Sequence, residues 1–225
     1  MDNILQKKLT EYLETFLTGE RKMLLYKVLE NRTRYITVAV EDLYQTQNIS
    51  AVLRSCECVG IQDVHIAKGE NDFQIHKAIA MGADKWLTIK HYQKGNKPML
   101  TCINELKIRG YTIVATLPDD NSCFLDELPL EEPVAFLFGT ELTGLSQEAI
   151  AAADKTVKIP MHGFTNSFNI SNSVAIIVQH CIEKLRNSPI HWQLSEGEKN
   201  ELLFDWVKKS INKPELLIER YLREC

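Results

Sequence analysis

The chain of 225 residues is 44% hydrophobic and 25% charged, ordinary values for a globular protein, and it is long enough to bury a core without a disulfide or metal staple. Its net charge of −4 argues against a dedicated nucleic-acid binder, yet the first 100 residues carry 14 Lys and Arg against 12 Asp and Glu, a balance of +2, leaving −6 for the rest. No apolar run approaches the ~18 residues of a membrane span, and the N-terminal Met1-Asp2-Asn3-Ile4 start lacks a signal peptide's basic-then-apolar order, so a cytoplasmic protein with no membrane partner is expected. The six cysteines form no C-x-x-C pair and no His/Cys cluster has ligand spacing, so reduced thiols and no metal are expected.

In chain order, residues 3–31 read as helix with a break near Thr18-Gly19, since Leu5, Leu9, Tyr12, Leu13 and Phe16 recur at helical spacing. Arg21, Lys22, Arg32 and Arg34 gather on and after its second half. From residue 36 short apolar runs alternate with helical patterns. The strands are read at 36–40, 64–67, 86–89, 111–115, 134–138 and 156–159, and the helices at 49–59, 72–81, 98–108, 146–153 and 170–186. This order predicts an α/β fold, a parallel sheet with helices on both faces. The uniformly apolar Val134–Phe138 is expected as a central strand buried on both sides. Residues 195–223 read as two further helices broken at Lys213-Pro214.

Ligands of such sheets bind beyond the carboxyl ends of the strands, so the loops there carry the functional expectations. The first is Gln45-Thr46-Gln47-Asn48 with the helix that follows, for which Asn48 is a plausible N-cap. Arg54 points about 160° away from that helix's apolar face. It reads either as a solvated surface arginine or as a cation held near a phosphate or substrate. The second is Gly139 to Ser146, where two glycines between a buried strand and a helix allow close backbone approach of a ligand and Ser146 is a natural N-cap. Neither G-x-G-x-x-G nor a P-loop occurs. The third runs from Ile159 to Ser173 and holds more Asn and Ser than turn chemistry needs.

Together these loops resemble the SpoU–TrmH (SPOUT) family of knotted RNA 2′-O-methyltransferases. Asn48, Arg54 and Gly60-Ile61 match the family's first motif. Gly139, Glu141, Gly144, Leu145 and Ser146 match the second, and Ile159-Pro160-Met161, Gly163 and Ser167 to Ser171 the third. Within the family the chain is most similar to the enzymes acting on guanosine 18 of tRNA, through Gly82 to Trp86 and the Leu202 to Val207 stretch. Phe168 stands where leucine is commoner, and Leu142 where the tRNA enzymes often carry lysine.

The resemblance implies a C-terminal deep trefoil knot, a homodimer and S-adenosylmethionine as cofactor. It implies a helical extension for RNA contact over 1–35, the methyltransferase domain over 36–187 and a C-terminal helical extension over 188–225. Thr116, Gly139, Ile159, Met161 and Phe168 are carried over as cofactor contacts. Arg54 becomes the candidate that clamps phosphate and stabilises the attacking oxygen, with Asn48, Glu141, Ser167 and Asn169 holding it, the ribose and the loop backbone. Arg21, Lys22, Arg32 and Arg34 are expected on tRNA phosphates. The same reaction on ribosomal RNA, or a non-catalytic RNA-binding protein on this fold, are the alternatives. The short stretch before the first strand favours tRNA over ribosomal RNA, and the intact Arg54 and Asn169 speak against a non-catalytic role.

Overall fold

The computed structural model describes residues 3–43, 45–68, 75–93, 97–119, 121–140 and 142–224. They form two compact units, residues 33–192 and the pair of segments up to 32 and from 193. No helix among the described residues is long and apolar enough to cross a membrane.

The larger unit holds a seven-stranded sheet, all parallel: β1 (Ile36–Glu41), β2 (Asp63–Ala67), β3 (Thr88–Tyr92), β4 (Thr112–Thr116), β5 (Cys123–Phe124), β6 (Val134–Phe138) and β7 (Lys155–Lys158). Their spatial order is β3-β2-β1-β6-β4-β7-β5. As its composition predicts, β6 is central and fully buried, paired with β1 from Ile36 opposite Val134 to Val40 opposite Phe138, and with β4 on its other side. Its side chains alternate between faces. Val134, Phe136 and Phe138 join the core beneath α3 (Thr46–Val59) and α7 (Ile170–Arg186), while Ala135 and Leu137 join the one beneath α5 (Pro98–Ile108) and α6 (Gln147–Ala152). Gly60 ends α3 in the left-handed region at φ 91°, where its missing Cβ avoids strain. Thr33 donates its hydroxyl to the Trp192 carbonyl at 2.6 Å, joining the two ends of this unit.

Three expectations shift. The third strand begins at Thr88 rather than residue 86, because Trp86 belongs to the turn after a short 3-10 segment at Ala83–Lys85 and the Leu87 side chain is buried in the core. The two-residue β5 carries no pattern of its own and exists through pairing with β7. Of the helix expected over 72–81, the structure describes α4 (Lys77–Ala80), and residues 72–74 lie outside the described residues.

The smaller unit consists of α1 (Asn3–Glu14), α2 (Gly19–Leu29), α8 (Glu196–Ser210) and α9 (Pro214–Glu224), with the break between α1 and α2 where the sequence places it. Leu9, Leu13, Leu25, Leu29 and Trp206 are buried, and Ser195 with Glu198 forms a reciprocal capping box at the start of α8.

His65, in β2, is 2% exposed, with Nδ1 3.0 Å from the Tyr92 hydroxyl. Burial lowers its pKa to about 4, against a partial upward pull from Asp63. A histidine depressed in the fold favours the folded state above its unfolded pKa, and that contribution is lost as pH falls toward the folded value. Stability should therefore decline between about pH 6.5 and 4, by at most about 1.4 kcal/mol per pH unit from this group. His65→Gln should flatten that part of the profile, as urea titrations at stepped pH would read.

Candidate active site

The carboxyl ends of β4, β6 and β7, the loop into α7 and the first turn of α3 enclose one cavity of about 690 Å³. Thr116, Gly139, Ile159, Met161 and Phe168, expected as cofactor contacts, all line it, and so do Asn48, Ser167 and Asn169. Beside Phe138 and the motif residue Leu145, Leu117 and Ile150 supply apolar wall that the sequence did not single out as part of a site. Glu141 lies outside the described residues.

Gly139 explains how the loop after β6 closes. A Cβ built there would lie 2.0 Å from the Gly144 carbonyl carbon and 2.1 Å from the Leu145 nitrogen. The missing side chain therefore lets the loop's two ends meet, which is a different need from the ligand space expected of this glycine. Thr140 and Gly144 exchange two backbone bonds of 3.1 Å, and the Thr143 N–H donates to Thr140 Oγ1 at 3.0 Å. Ser146 then caps α6, accepting from the Ala149 N–H at 3.2 Å as its position predicts. The Thr116 hydroxyl donates to the Leu137 carbonyl at 2.8 Å, tying β4 to β6 where both open onto the cavity.

Asn169 caps α7, its Oδ1 accepting from the Ser171 N–H at 2.9 Å and the Ser171 hydroxyl at 2.6 Å. Its Nδ2 donates to Asn48 Oδ1 at 3.2 Å, so the first and third motifs meet directly. This corrects the expectation for Asn48. The helix starts at Thr46, Asn48 sits within its first turn with 7% exposure, and its side chain bonds Asn169 and Gln45 instead of capping.

Arg54 is exposed and does not line the cavity. It follows Asn48 by six positions, which in an α-helix is about 9 Å along the axis and about 120° around it. Asn48 and Asn169 bond each other, Asn48 also bonds Gln45 and Asn169 also bonds Ser171, so the two asparagines tie the starts of α3 and α7 together.

The basic residues divide. Arg32 is 1% exposed with its guanidinium over the Trp206 ring at 5.3 Å, so it is a buried packing element and not a phosphate contact. Arg34 donates from Nε to Asp63 at 3.1 Å, and Arg109 reaches the other oxygen at 3.2 Å, so Arg34 neutralises a buried carboxylate. Lys22 is exposed and pairs with Glu14 at 2.5 Å. Arg21 is half-buried, its guanidinium 3.4 Å from the Ser210 hydroxyl.

The fold and the cavity at its strand ends define a small-molecule-binding α/β protein of the kind the motifs suggested. The chain belongs to the SpoU rRNA Methylase family, whose model matches residues 35–179. It is 40% identical over 199 residues to the tRNA (guanosine(18)-2′-O)-methyltransferase of Borreliella burgdorferi, across 88% of this chain and 89% of that one. It is 29% identical over 194 residues to the protein of the same name from Thermus thermophilus, covering 85% and 98%. The crystal structure of the A. aeolicus TrmH/SpoU tRNA modifying enzyme is similar with a TM-score of 0.74 at 28% identity, covering 93% of this chain and 100% of that one.

Two glycine substitutions separate structure from sequence motif. Gly139→Ala should cost about 3 kcal/mol, because backbone rather than a flexible side chain must move. Gly163→Ala, whose Cβ would meet its nearest atom at 4.0 Å, should stay within about 0.5 kcal/mol. Thermal unfolding of the two variants checks this.

Proposed function

We propose that the protein transfers a methyl group from S-adenosylmethionine to the ribose 2′-hydroxyl of guanosine 18 in tRNA. The observation that carries this reading is a cavity lined by residues from each of the three motifs, in a chain whose relatives bear that name. A volume of about 690 Å³ lies within the roughly 300–1,000 Å³ usual for small-molecule sites. Its apolar walls suit a nucleoside, and the crowded turn at Gly139 presents backbone rather than side chains. The residues present therefore fit this cofactor.

When bound, S-adenosylmethionine supplies a methyl on a sulfonium leaving group. The protein's own task is alignment and support of the attacking oxygen. Thr116, Gly139, Ile159, Met161 and Phe168 would hold the ligand, and the Asn48–Asn169 bond joins two further residues of the same cavity wall. Arg54 keeps its proton in proteins, so its role is that of a cation gripping phosphate and stabilising charge on the oxygen, not of a base.

Because Arg54 is exposed and does not line the cavity that Asn48 lines, we assign it to substrate held at the cavity of a second copy. Phe168, Phe164 and Ile176, near that cavity or on α7, are exposed at 43%, 109% and 37%, which supports a homodimer covering them. The strand order supports a knot. From β4 the chain goes to the edge at β5, returns to the centre at β6, moves out to β7 between β4 and β5, and comes back through α7 onto α3. The protein acts in the cytoplasm, with Arg21 and Lys22 on tRNA phosphates, and not Arg32, buried against Trp206, or Arg34, bound to Asp63.

Labelled S-adenosylmethionine offered with total tRNA and with ribosomal RNA, followed by mapping of 2′-O-methyl positions, tests the function. The expected product is tRNA methylated at guanosine 18, and label confined to ribosomal RNA would overturn the reading. Arg54→Ala should reduce single-turnover methylation by about 10²-fold or more, with stability within about 0.5 kcal/mol and affinity for S-adenosylhomocysteine unchanged. Arg54→Lys should recover little, since a point charge does not reproduce the planar fork.

A further inference from the structure

We propose that Glu41 is a positioning residue for the cofactor cavity, gripping the loop after β6 from the side opposite the ligand. The inference rests on the reading of that cavity as the S-adenosylmethionine site.

Glu41 is the last residue of β1 and is not part of the cavity wall. Val40 pairs with Phe138, so β1 and β6 end side by side, and Glu41 stands where Gly139 starts the loop. The loop returns to this level at Ser146. There the Ser146 N–H donates to Glu41 Oε2 at 2.8 Å and the Ser146 hydroxyl donates to Oε1 at 2.7 Å. Both carboxylate oxygens are thus engaged on one residue, 105 positions away in sequence.

Thr143, Gly144, Leu145 and Gln147 line the cavity while Ser146 between them does not. Ser146 is therefore the point at which this wall can be held from behind. The bonds within the loop, Thr140 to Gly144 and Thr143 to Thr140, set its shape but do not attach it to the sheet. Among the described residues the loop is held by the close approach of Gly139 to Gly144 and Leu145, by the Leu145 side chain buried in the core with Ala39, Ala115 and Leu137, and, as its polar anchor to β1, by the Glu41 carboxylate. An ionised carboxylate accepts both bonds with charge assistance. Without it, the segment from Thr143 to Gln147 keeps its turn but loses its position against the strand ends. Binding of the cofactor should then weaken, while the chemistry of a bound complex continues, because Glu41 touches no reacting group.

The test is calorimetry with S-adenosylhomocysteine on wild type, Glu41→Ala, Glu41→Gln and Ser146→Ala, beside their thermal unfolding and steady-state kinetics. Glu41→Ala should bind about tenfold more weakly or worse, the size expected for lost hydrogen bonds to a charged group. Its KM for S-adenosylmethionine should rise in step while kcat at saturating cofactor stays near wild type. Glu41→Gln should recover most of the affinity, because it keeps one acceptor for the Ser146 N–H and its amide can donate to the Ser146 hydroxyl oxygen. A folded Glu41→Ala with wild-type affinity, or with lowered kcat and unchanged KM, would overturn the assignment. If Glu41→Ala does not fold, Ser146→Ala carries the test from the other side of the pair: measurably weaker binding supports the assignment and unchanged affinity overturns it. A wild-type protein that fails to bind S-adenosylhomocysteine would instead remove the cofactor reading, and this inference with it.

Discussion

The position of β6 decides the rest of the larger unit. A strand with no polar side chain is stable only where both faces are covered and both edges are bonded, and Val134–Phe138 meets both conditions between β1 and β4. Its end therefore delivers Gly139 to the middle of the sheet's carboxyl edge, flanked by Glu41 from β1 and Thr116 from β4. The residues that line the cavity are spread over 45–177 in the sequence, and the sheet order brings them to one place.

Side-chain bonds then fix the loops that a parallel sheet alone leaves free. Asn169 holds the start of α7 and, through Asn48, the start of α3. Glu41 holds the loop between β6 and α6. The cavity is thereby assembled from elements whose polar groups are spent on one another, while its apolar walls and backbone edges remain for a ligand. Arg54 stands apart from this arrangement, exposed and outside the cavity wall. That separation suits a division of labour between cofactor binding inside the cavity and RNA contact outside it.

Much of this was legible in the residues. Period and composition locate β1, β2, β4, β6 and β7 and the long helices, because each has enough residues to show its burial pattern. The five positions expected as cofactor contacts, far apart in sequence, line one cavity. What was not legible depends on partners distant in sequence. Asn48 reads as a cap because Asn is a good one, but its partner Asn169 is 121 residues away. Arg32 and Arg34 read as RNA contacts because they are basic and close together. Only the fold shows one stacked on Trp206 and the other bound to Asp63. Glu41 carries no local signal, and β5 is too short to have a period. Trp86 and Leu87 extend the apparent third strand because apolar residues that fill a turn look the same in sequence as those of a buried strand.

The central claim is that S-adenosylmethionine occupies the cavity at the carboxyl ends of β4, β6 and β7. A crystal structure of the protein with S-adenosylhomocysteine tests it most directly. The expected result is ligand density in that cavity, against the backbone of Gly139 and Ile159 and beside Thr116, Met161 and Phe168. Density for the ligand at another place on the protein, with this cavity filled only by water, would contradict it.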